Sequence, residues 1–452
     1  MGSNDVQLPS AHSRVITDLV DAIIARGRTL LHGRLEAPTE KLDLLGLSEA
    51  LLSQRGEASG VAIASMLLQT YAQAPLEERK SFVEALLSTF GANHARVDQA
   101  VEKYWKGGND ADIAELHAAA EPRRQELFRR INLADGGTAG LVRMREDVMS
   151  FVKQNEALRL VDADFVHLLS SWFNRGFLVL KRIDWRTPGN ILEKIKRYEA
   201  VHAIAGWDEL RSRIEPPDRR CYAFFHPQLA DEPLIFVEVA LTTGVPEAIA
   251  PLLSADRNQI MAANASTAVF YSISNTQRGL SGVSFGSFLI KQVVEDLKRE
   301  LPNLNTFVTL SPVPGFAAWL EAQLRNERSS LVPLNQRGEL LSLLDDAESV
   351  VDETALAQAA AIYLICSRNS SGMPSDPVAR FHLGNGASLE RINVAADRSP
   401  NGIRQSFGVM VNYLYDLNQI ERNHEAFVSS NELAVSSRLR KLVTDMGASG
   451  NR

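Results

Sequence analysis

The residues best suited to chemistry are a serine and a histidine about seventy positions apart in the chain. Ser311 closes an apolar run, FVTLS, and is followed at once by Pro312-Val313-Pro314-Gly315. The two prolines restrict the backbone on either side of Val313, so the direction of the Ser311 hydroxyl is pre-set. A hydroxyl held at a strand end can orient a substrate or accept a proton, and it can equally cap a turn. His382 stands in Arg380-Phe381-His382-Leu383-Gly384-Asn385-Gly386, where glycines permit close approach of a ligand. An imidazole titrating near neutral pH suits proton transfer. Tyr413 and Tyr415 alternate along a late apolar run and therefore share a face; either phenol can donate into a site or simply pack. His202 and His226 lie beside turns and are weaker candidates.

A second chemical feature precedes Ser311. Asn275-Thr276-Gln277-Arg278-Gly279-Leu280-Ser281-Gly282 joins an apparent strand to an amphipathic helix expected from about Phe285 to Glu300. Glycines let such a loop turn N–H groups toward an anion, and the helix N-terminus adds a partial positive charge. Arg278 offers an ion pair. The spacing is neither GxxxxGK[ST] nor GxGxxG, and it resembles the loop that acyl-CoA-binding sheets turn toward the CoA pyrophosphate. Within it, Gly282-Val283-Ser284-Phe285-Gly286 matches the G-x-S-x-G nucleophile elbow. That elbow places its serine directly between strand and helix, whereas here about ten residues separate the strand end from Ser284. Ser284 reads instead as a helix cap facing phosphates.

These residues need a sheet to hold them. Phe177–Trp185, Cys221–Phe225, Leu234–Leu241, Ala268–Ile273, Thr306–Leu310 and Gly408–Leu417 have strand character, and Pro227–Pro233 reads as a turn. Helices are expected over Ile191–Val201, Phe316–Leu324, Glu339–Asp346 and Glu353–Cys366. Pro377–Asn393 reads as a segment of small and polar residues, and a polar tail is expected after the last strand. The first third differs. Val15, Ile16, Leu19, Val20, Ile23 and Ile24 lie on one helical face, as do Leu141, Met144, Val148 and Phe151. Turn signals fall at Ala37-Pro38, Ala74-Pro75, Gly107-Gly108-Asn109-Asp110 and Asp135-Gly136-Gly137. A helix over Asp164–Phe173 is expected to stop at a glycine cap, Gly176. The predicted fold class is α+β: an all-helical bundle over 1–173, then a mixed-sheet domain over 174–452.

Composition narrows the functions. With 452 residues the chain needs more than one core, and 45% hydrophobic with 23% charged residues is ordinary globular chemistry. A net charge of −7 gives no basic surface for nucleic acid. No apolar run reaches the roughly 18 residues of a membrane span. MGSNDVQLPS has no basic-then-apolar signal and fails the myristoylation pattern at Val6, and GASGNR is not a peroxisomal tripeptide, so a cytoplasmic location is expected. Cys221 and Cys366 both sit in apolar sequence and read as buried thiols in a reducing compartment. Nine histidines form no HExxH pair or Cys/His cluster, so no metal is expected.

Taken together, LSSWFNRGFLVLKRIDW, RRCYAFFHP, FYSISNTQRGLSGVSFGSFLIK, LSPVPGF, DPVARFHLGNGA and MVNYLYD resemble the malonyl-CoA decarboxylase family from about residue 135 onward. The resemblance implies a helical N-terminal domain, a catalytic domain similar to the GNAT acetyltransferase fold, and a homotetramer assembled through the helices. It implies conversion of malonyl-CoA to acetyl-CoA and carbon dioxide with no metal or organic cofactor. Position by position, it implies Ser311 and His382 as the catalytic pair and Tyr415 as a third member. It implies substrate binding by Gln277, Gly279, Ser281, Gly282, Val283, Ser284, Phe285, Gly286 and Ser287. Some relatives carry an acidic residue at the position of Ser284, so no indispensable hydroxyl is implied there. Three other readings use the same residues: an acyltransferase of the same fold, a serine hydrolase built on Ser284, and a non-catalytic acyl-CoA-binding oligomer.

Overall fold

A computed structural model describes residues 43–449, apart from 54–55, 230, 284–288, 327–328, 330, 333 and 346–351. The expected face Val15–Ile24 and the turn at Ala37-Pro38 lie outside the described residues. The chain forms two compact units: one ends at Phe173 and also takes in Gln277–Val283, and the other holds Asn174–Thr276 and the chain from Ser284 on. No helix of the described residues is long and apolar enough to cross a membrane.

The first unit is helical. Its elements are α1 (Leu44–Leu52), α2 (Glu57–Gln73), α3 (Leu76–Ser88), α4 (His94–Gly107), α5 (Asp110–Ala120), α6 (Arg123–Asn132), α7 (Gly137–Phe151) and α8 (Arg159–Trp172). The turn residues act as caps: Pro75 precedes α3, whose first turn carries Glu77 and Glu78, and Asn109 with Asp112 forms a capping box on α5. The three-and-four spacing of Leu141, Met144, Val148 and Phe151 buries one face of α7. Phe128 and Phe165 stack at 4.1 Å between ring centres. The buried Asp164 accepts from Arg124 at 2.5 Å and Gln125 at 2.6 Å, which satisfies both of its oxygens. One expectation fails. The last helix stops at Trp172 without a glycine cap; Phe173 is fully buried, and Gly176 lies in a separate 3₁₀ turn.

The second unit is built on an eight-stranded mixed sheet: β1 (Val179–Ile183), β2 (Arg219–Phe225), β3 (Pro233–Thr242), β4 (Thr267–Asn275), β5 (Thr306–Thr309), β6 (Ser311–Pro312), β7 (Ser388–Asn393) and β8 (Met410–Leu414). The order is β1-β2-β3-β4-β5-β8-β6, and β7 pairs with β8. Only β4 and β5 run parallel, joined by a crossover that contains the helix Leu289–Glu300 (α9). Central strands β2 and β3 are buried along nearly their whole length, which is why they read as mostly apolar, apart from Arg219 and Arg220 at the start of β2 and Glu238 within β3. On one face, Cys221, Ala223 and Phe236 pack with Ile191, Ile195, Leu210 and Ile214 from helices Gly189–Tyr198 and Trp207–Ile214. Val269, Tyr271, Val308 and Leu310 continue that face. On the other face, Arg220 reaches Glu300 at the end of α9 at 2.7 Å.

Several expectations are corrected here. The polar tail after the last strand is helical, forming helices Ile420–Ser430 and Ser437–Ser449 anchored by buried Ile420, Phe427 and Leu439. Pro377–Asn393, read only as a segment of small and polar residues, folds as a helix, Pro377–Gly384, and then β7. Helix Trp207–Ile214 was unforeseen because its apolar face is only two turns long. Cys221 is buried, but Cys366 at the end of helix Glu353–Cys366 is exposed.

Candidate active site

Ser311 is held at an opening in the sheet. The register pairs Val308 with Leu414 and Ser311 with Val411, and between these pairs the ladder is interrupted. Side chains take over the missing bonds. Asn412 Nδ2 donates to the Thr309 carbonyl at 2.8 Å, and the Tyr413 amide donates to Thr309 Oγ1 at 3.1 Å. Asn412 is fully buried, and its Oδ1 accepts from Asn393 at 2.8 Å and Arg391 at 3.0 Å, so the amide is held in one orientation. Val308 and Leu310 face the core shared with Val269 and Tyr271, and strand alternation therefore turns Thr309 and Ser311 to the opposite face.

His382 arrives on helix Pro377–Gly384. Asp376 caps that helix, accepting the Ala379 amide at 2.8 Å, and receives the Tyr363 hydroxyl at 3.4 Å. Burial pushes the Asp376 carboxyl up to about 6. The Tyr363 hydroxyl occupies the place a Cβ on Gly315 would need. Glycine in the Ser-Pro-x-Pro-Gly turn thus admits a tyrosine that ties the serine's turn to the histidine's helix. Past the helix, Gly386 has φ +83°, and a Cβ there would fall on the Ile420 carbonyl. Gly386 therefore serves packing against helix Ile420–Ser430 rather than a ligand's approach, a correction to the sequence reading, while a Cβ on Gly384 would make only ordinary contact with Phe427.

The three side chains meet. His382 Nε2 lies 3.1 Å from Ser311 Oγ, and Nδ1 lies 2.8 Å from the Tyr415 hydroxyl. The imidazole stacks on Tyr413, with ring centres 4.6 Å apart. Ser311, His382 and Tyr415 are 5%, 2% and 1% exposed. Tyr415 is fixed by its amide on the Phe307 carbonyl at 2.8 Å and by an edge contact with Phe270. Burial alone pushes His382 down to about 3. The expectation of a histidine titrating near neutrality is therefore corrected: with the site as it stands, the imidazole is neutral at pH 7, because desolvation penalises its charged form. Burial raises both tyrosine phenols, so both stay protonated. A neutral imidazole with one donor and one acceptor nitrogen, strung between two hydroxyls, can pass a proton along its length. Among the described residues no group of three or more His, Cys, Asp or Glu side chains is placed to hold a metal ion.

His202 and His226 join no such arrangement. His202 is driven down to about 4 by burial, near Tyr271, and His226 Nδ1 accepts the Gln228 amide at 3.2 Å in a turn. In the glycine loop, Gly279 packs against α7 so closely that a Cβ would fall on the Val142 carbonyl. Its amide donates to Glu146 at 3.2 Å, and its carbonyl accepts from Arg145 at 2.7 Å. The amides of Leu280, Ser281 and Val283 donate within the loop at 3.0 Å. Gly282 has φ +76° with open space around its Cα. Ser284, Phe285, Gly286 and Ser287 lie outside the described residues. Thr309, Asn412, Tyr363 and Asp376 were missed from sequence. Thr309 had a signal, since it sits two residues before Ser311 on the same strand face, and Asp376-Pro377 is a cap-and-first-turn pair.

Residues 176–451 match the malonyl-CoA decarboxylase C-terminal domain family and residues 90–173 the malonyl-CoA decarboxylase N-terminal domain family. Among curated proteins, the chain is 35% identical over 417 residues to the mitochondrial malonyl-CoA decarboxylase of Mus musculus, covering 82% of each chain. Among solved structures, it is 57% identical to malonyl-CoA decarboxylase from Rhodopseudomonas palustris, with TM-score 0.85, covering 88% of this chain and 98% of that one. The protein of the same name from Agrobacterium vitis is 53% identical, with TM-score 0.82, at 88% and 99% coverage.

Proposed function

The chain belongs to the malonyl-CoA decarboxylase family, a family of carboxy-lyases, and from that premise we propose that it converts malonyl-CoA to acetyl-CoA and carbon dioxide with Ser311 and His382 as its catalytic residues, without metal or organic cofactor. The observation that carries this reading is the buried string in which Ser311 Oγ meets His382 Nε2 at 3.1 Å and Nδ1 meets Tyr415 at 2.8 Å.

The bond between the malonyl methylene and its carboxylate breaks, its electron pair moves into the thioester as an enolate, and carbon dioxide departs. The methylene carbon then takes one proton, which solvent ultimately replaces. Ser311 hydrogen-bonds the malonyl group. Such a preorganised contact to developing charge is typically worth about 10²–10³ in rate. His382 gives the proton, a step typically worth about 10²–10⁴. Burial holds His382 neutral, and the negative charge of a bound malonyl carboxylate has a second effect: it favours the imidazolium, so His382 takes up from solvent the proton that the product needs.

Gln277–Ser287 is our proposed segment for the CoA phosphates, with Arg278 as its cation and Gly282 as its open turn. The same reading takes 1–173 as an oligomerisation domain of a homotetramer, 174–452 as the catalytic domain, and the cytoplasm as the location. Exposed Trp105, Leu133 and Leu160 on the helical unit support an assembly surface. Light scattering and cell fractionation test these two points; a monomer or an organellar pool would sink them.

The decisive experiment incubates malonyl-CoA alone with wild type, Ser311→Ala and His382→Asn and follows acetyl-CoA by mass spectrometry. Wild type forms acetyl-CoA with no acceptor substrate, and each variant loses about 10²-fold or more in kcat. A folded variant with near wild-type turnover removes that residue from the mechanism, and product only in the presence of an acceptor amine makes the chain an acyltransferase.

A further inference from the structure

Which way a proton runs along the buried string depends on the residue at its far end, Thr309. Thr309 is fully buried. One lone pair of its Oγ1 is committed to the Tyr413 amide at 3.1 Å, a backbone donor that cannot turn away. Ser311 Oγ stands 2.9 Å from the same oxygen, in a geometry that has the serine as donor. That differs from the hydroxyl pairs Ser272 with Ser274 and Ser367 with Ser375, where either partner can donate.

We infer that Thr309 is a positioning residue: by accepting the Ser311 hydrogen it holds His382 in the tautomer protonated at Nε2, so that the string runs from Tyr415 through His382 toward the serine. Each link follows from the donor and acceptor inventory. If Ser311 gives its hydrogen to Thr309, its oxygen is left to accept, and Nε2 at 3.1 Å must carry the proton. Nδ1 then has only a lone pair, and the Tyr415 hydroxyl at 2.8 Å donates to it. The Tyr413 amide takes one lone pair of that oxygen, and the Ser311–Thr309 geometry gives the other to the serine hydrogen, with the threonine's own hydrogen turned away from Ser311.

This is the reverse of a hydrolytic serine, whose hydroxyl must donate to Nε2 so that the imidazole can take its proton. Here the histidine is a donor toward the serine, and the serine hydrogen rests on Thr309 until the developing oxyanion of the substrate, a stronger acceptor, draws it away. The arrangement suits a site that supplies a proton and not one that sharpens a nucleophile. This inference deepens the decarboxylase reading and rests on it for its chemical meaning, but the tautomer itself does not depend on the substrate.

The test uses the full chain with ¹⁵N-labelled histidine, His382 being assigned by its absence in His382→Asn. At pH 7 the wild type is expected to show His382 neutral with its proton on Nε2. In Thr309→Val the serine hydrogen is released to turn toward Nε2, and the histidine proton moves to Nδ1, exchanging the two ring nitrogen signatures. kcat for carbon dioxide release falls by about tenfold or more with KM within about twofold, while Thr309→Ser keeps the Nε2 proton and the rate. Thr309→Val also orphans the Tyr413 amide, so a purely structural role lowers Tm and leaves the tautomer at Nε2; that result overturns the inference. A wild-type proton on Nδ1 overturns it whatever the variants do. Retained decarboxylation in Ser311→Ala would instead remove Ser311 from the mechanism, and no acetyl-CoA from malonyl-CoA with wild type would overturn the proposed reaction, with the wild-type tautomer measurement unaffected by either.

Discussion

The sheet unit buries two polar clusters, and they are built on opposite terms. Around Ser311 the groups are neutral and each gives and receives along one line: Tyr415, His382, Ser311, Thr309. Around Glu238, on the face that carries Ala240 and Tyr271, the groups are charged. Arg213 pairs with Glu238 at 3.3 Å and gives the His202 carbonyl a 2.7 Å bond, while Ser272 and Ser274 hold Glu199. Burial and the neighbouring Glu199 raise Glu238 to about 7. Three buried atoms there make no well-formed hydrogen bond: Glu238 Oε1, the Tyr271 hydroxyl and His202 Nε2, although Tyr271 and Glu238 interact. The register slips between Glu238 and Val239, which leaves Tyr271 as the bulged residue between Phe270 and Ser272. Deep burial is common to both clusters and therefore does not mark the active one. A line of neutral groups can relay a proton without creating a buried charge, whereas a knot of charges can only hold one.

The largest effect that would sharpen this contrast is expected in the charged cluster. Arg213→Ala removes the cation that holds Glu238 down to about 7, so the carboxyl protonates, and with the bonds to the His202 carbonyl and Glu209 also lost the variant should lose about 3 kcal/mol in denaturant unfolding, with kcat per folded molecule unchanged. A loss below about 1 kcal/mol would mean that Glu238 is already protonated and would bring the two clusters closer in kind.

Next in size is a pH effect from the neutral line. Folding depresses the His382 pKa from 6.5 to about 3, so below pH 6.5 the unfolded chain binds a proton that the folded one refuses. Stability is full above 6.5 and falls as pH drops toward 3. By pH 5 the wild type should have lost about 2 kcal/mol relative to His382→Asn over the same interval. Equal pH slopes for the two proteins would show that the imidazole is not desolvated as its burial implies.

The smallest effects divide the two tyrosines. Tyr415→Phe removes a made hydrogen bond and should cost about 1 kcal/mol, with a lower kcat. Tyr271→Phe removes a hydroxyl that makes only a poorly formed contact with Glu238 and should change stability by no more than about 0.5 kcal/mol in either direction, with activity intact. The contrast breaks if Tyr271→Phe is the more damaging of the two.

The strands and most helices were legible because apolar spacing records which face is buried, and the caps because Pro75 and Asn109 satisfy helix ends locally. Ser311, His382 and Tyr415 were legible as motif residues. Thr309 and Asn412 were not, because they replace ladder bonds in a sheet opening that arises only when β5, β6 and β8 come together. Gly386 of the FHLGNGA stretch misled for a related reason: a missing side chain shows that something approaches, but not whether it is ligand or protein. The terminal helices escaped notice because their few anchors, Ile420, Phe427 and Leu439, are sparse against a polar background.

By itself the sequence determined the helical and sheet regions, the strand-end serine and the family, since each depends on local pattern or on a set of short motifs. Only the tertiary structure decided that His382 is neutral, that Thr309 receives the serine hydrogen, and that Gly315 admits Tyr363. Those follow from desolvation and from distances between groups far apart in the chain, and neither quantity exists until the chain has folded.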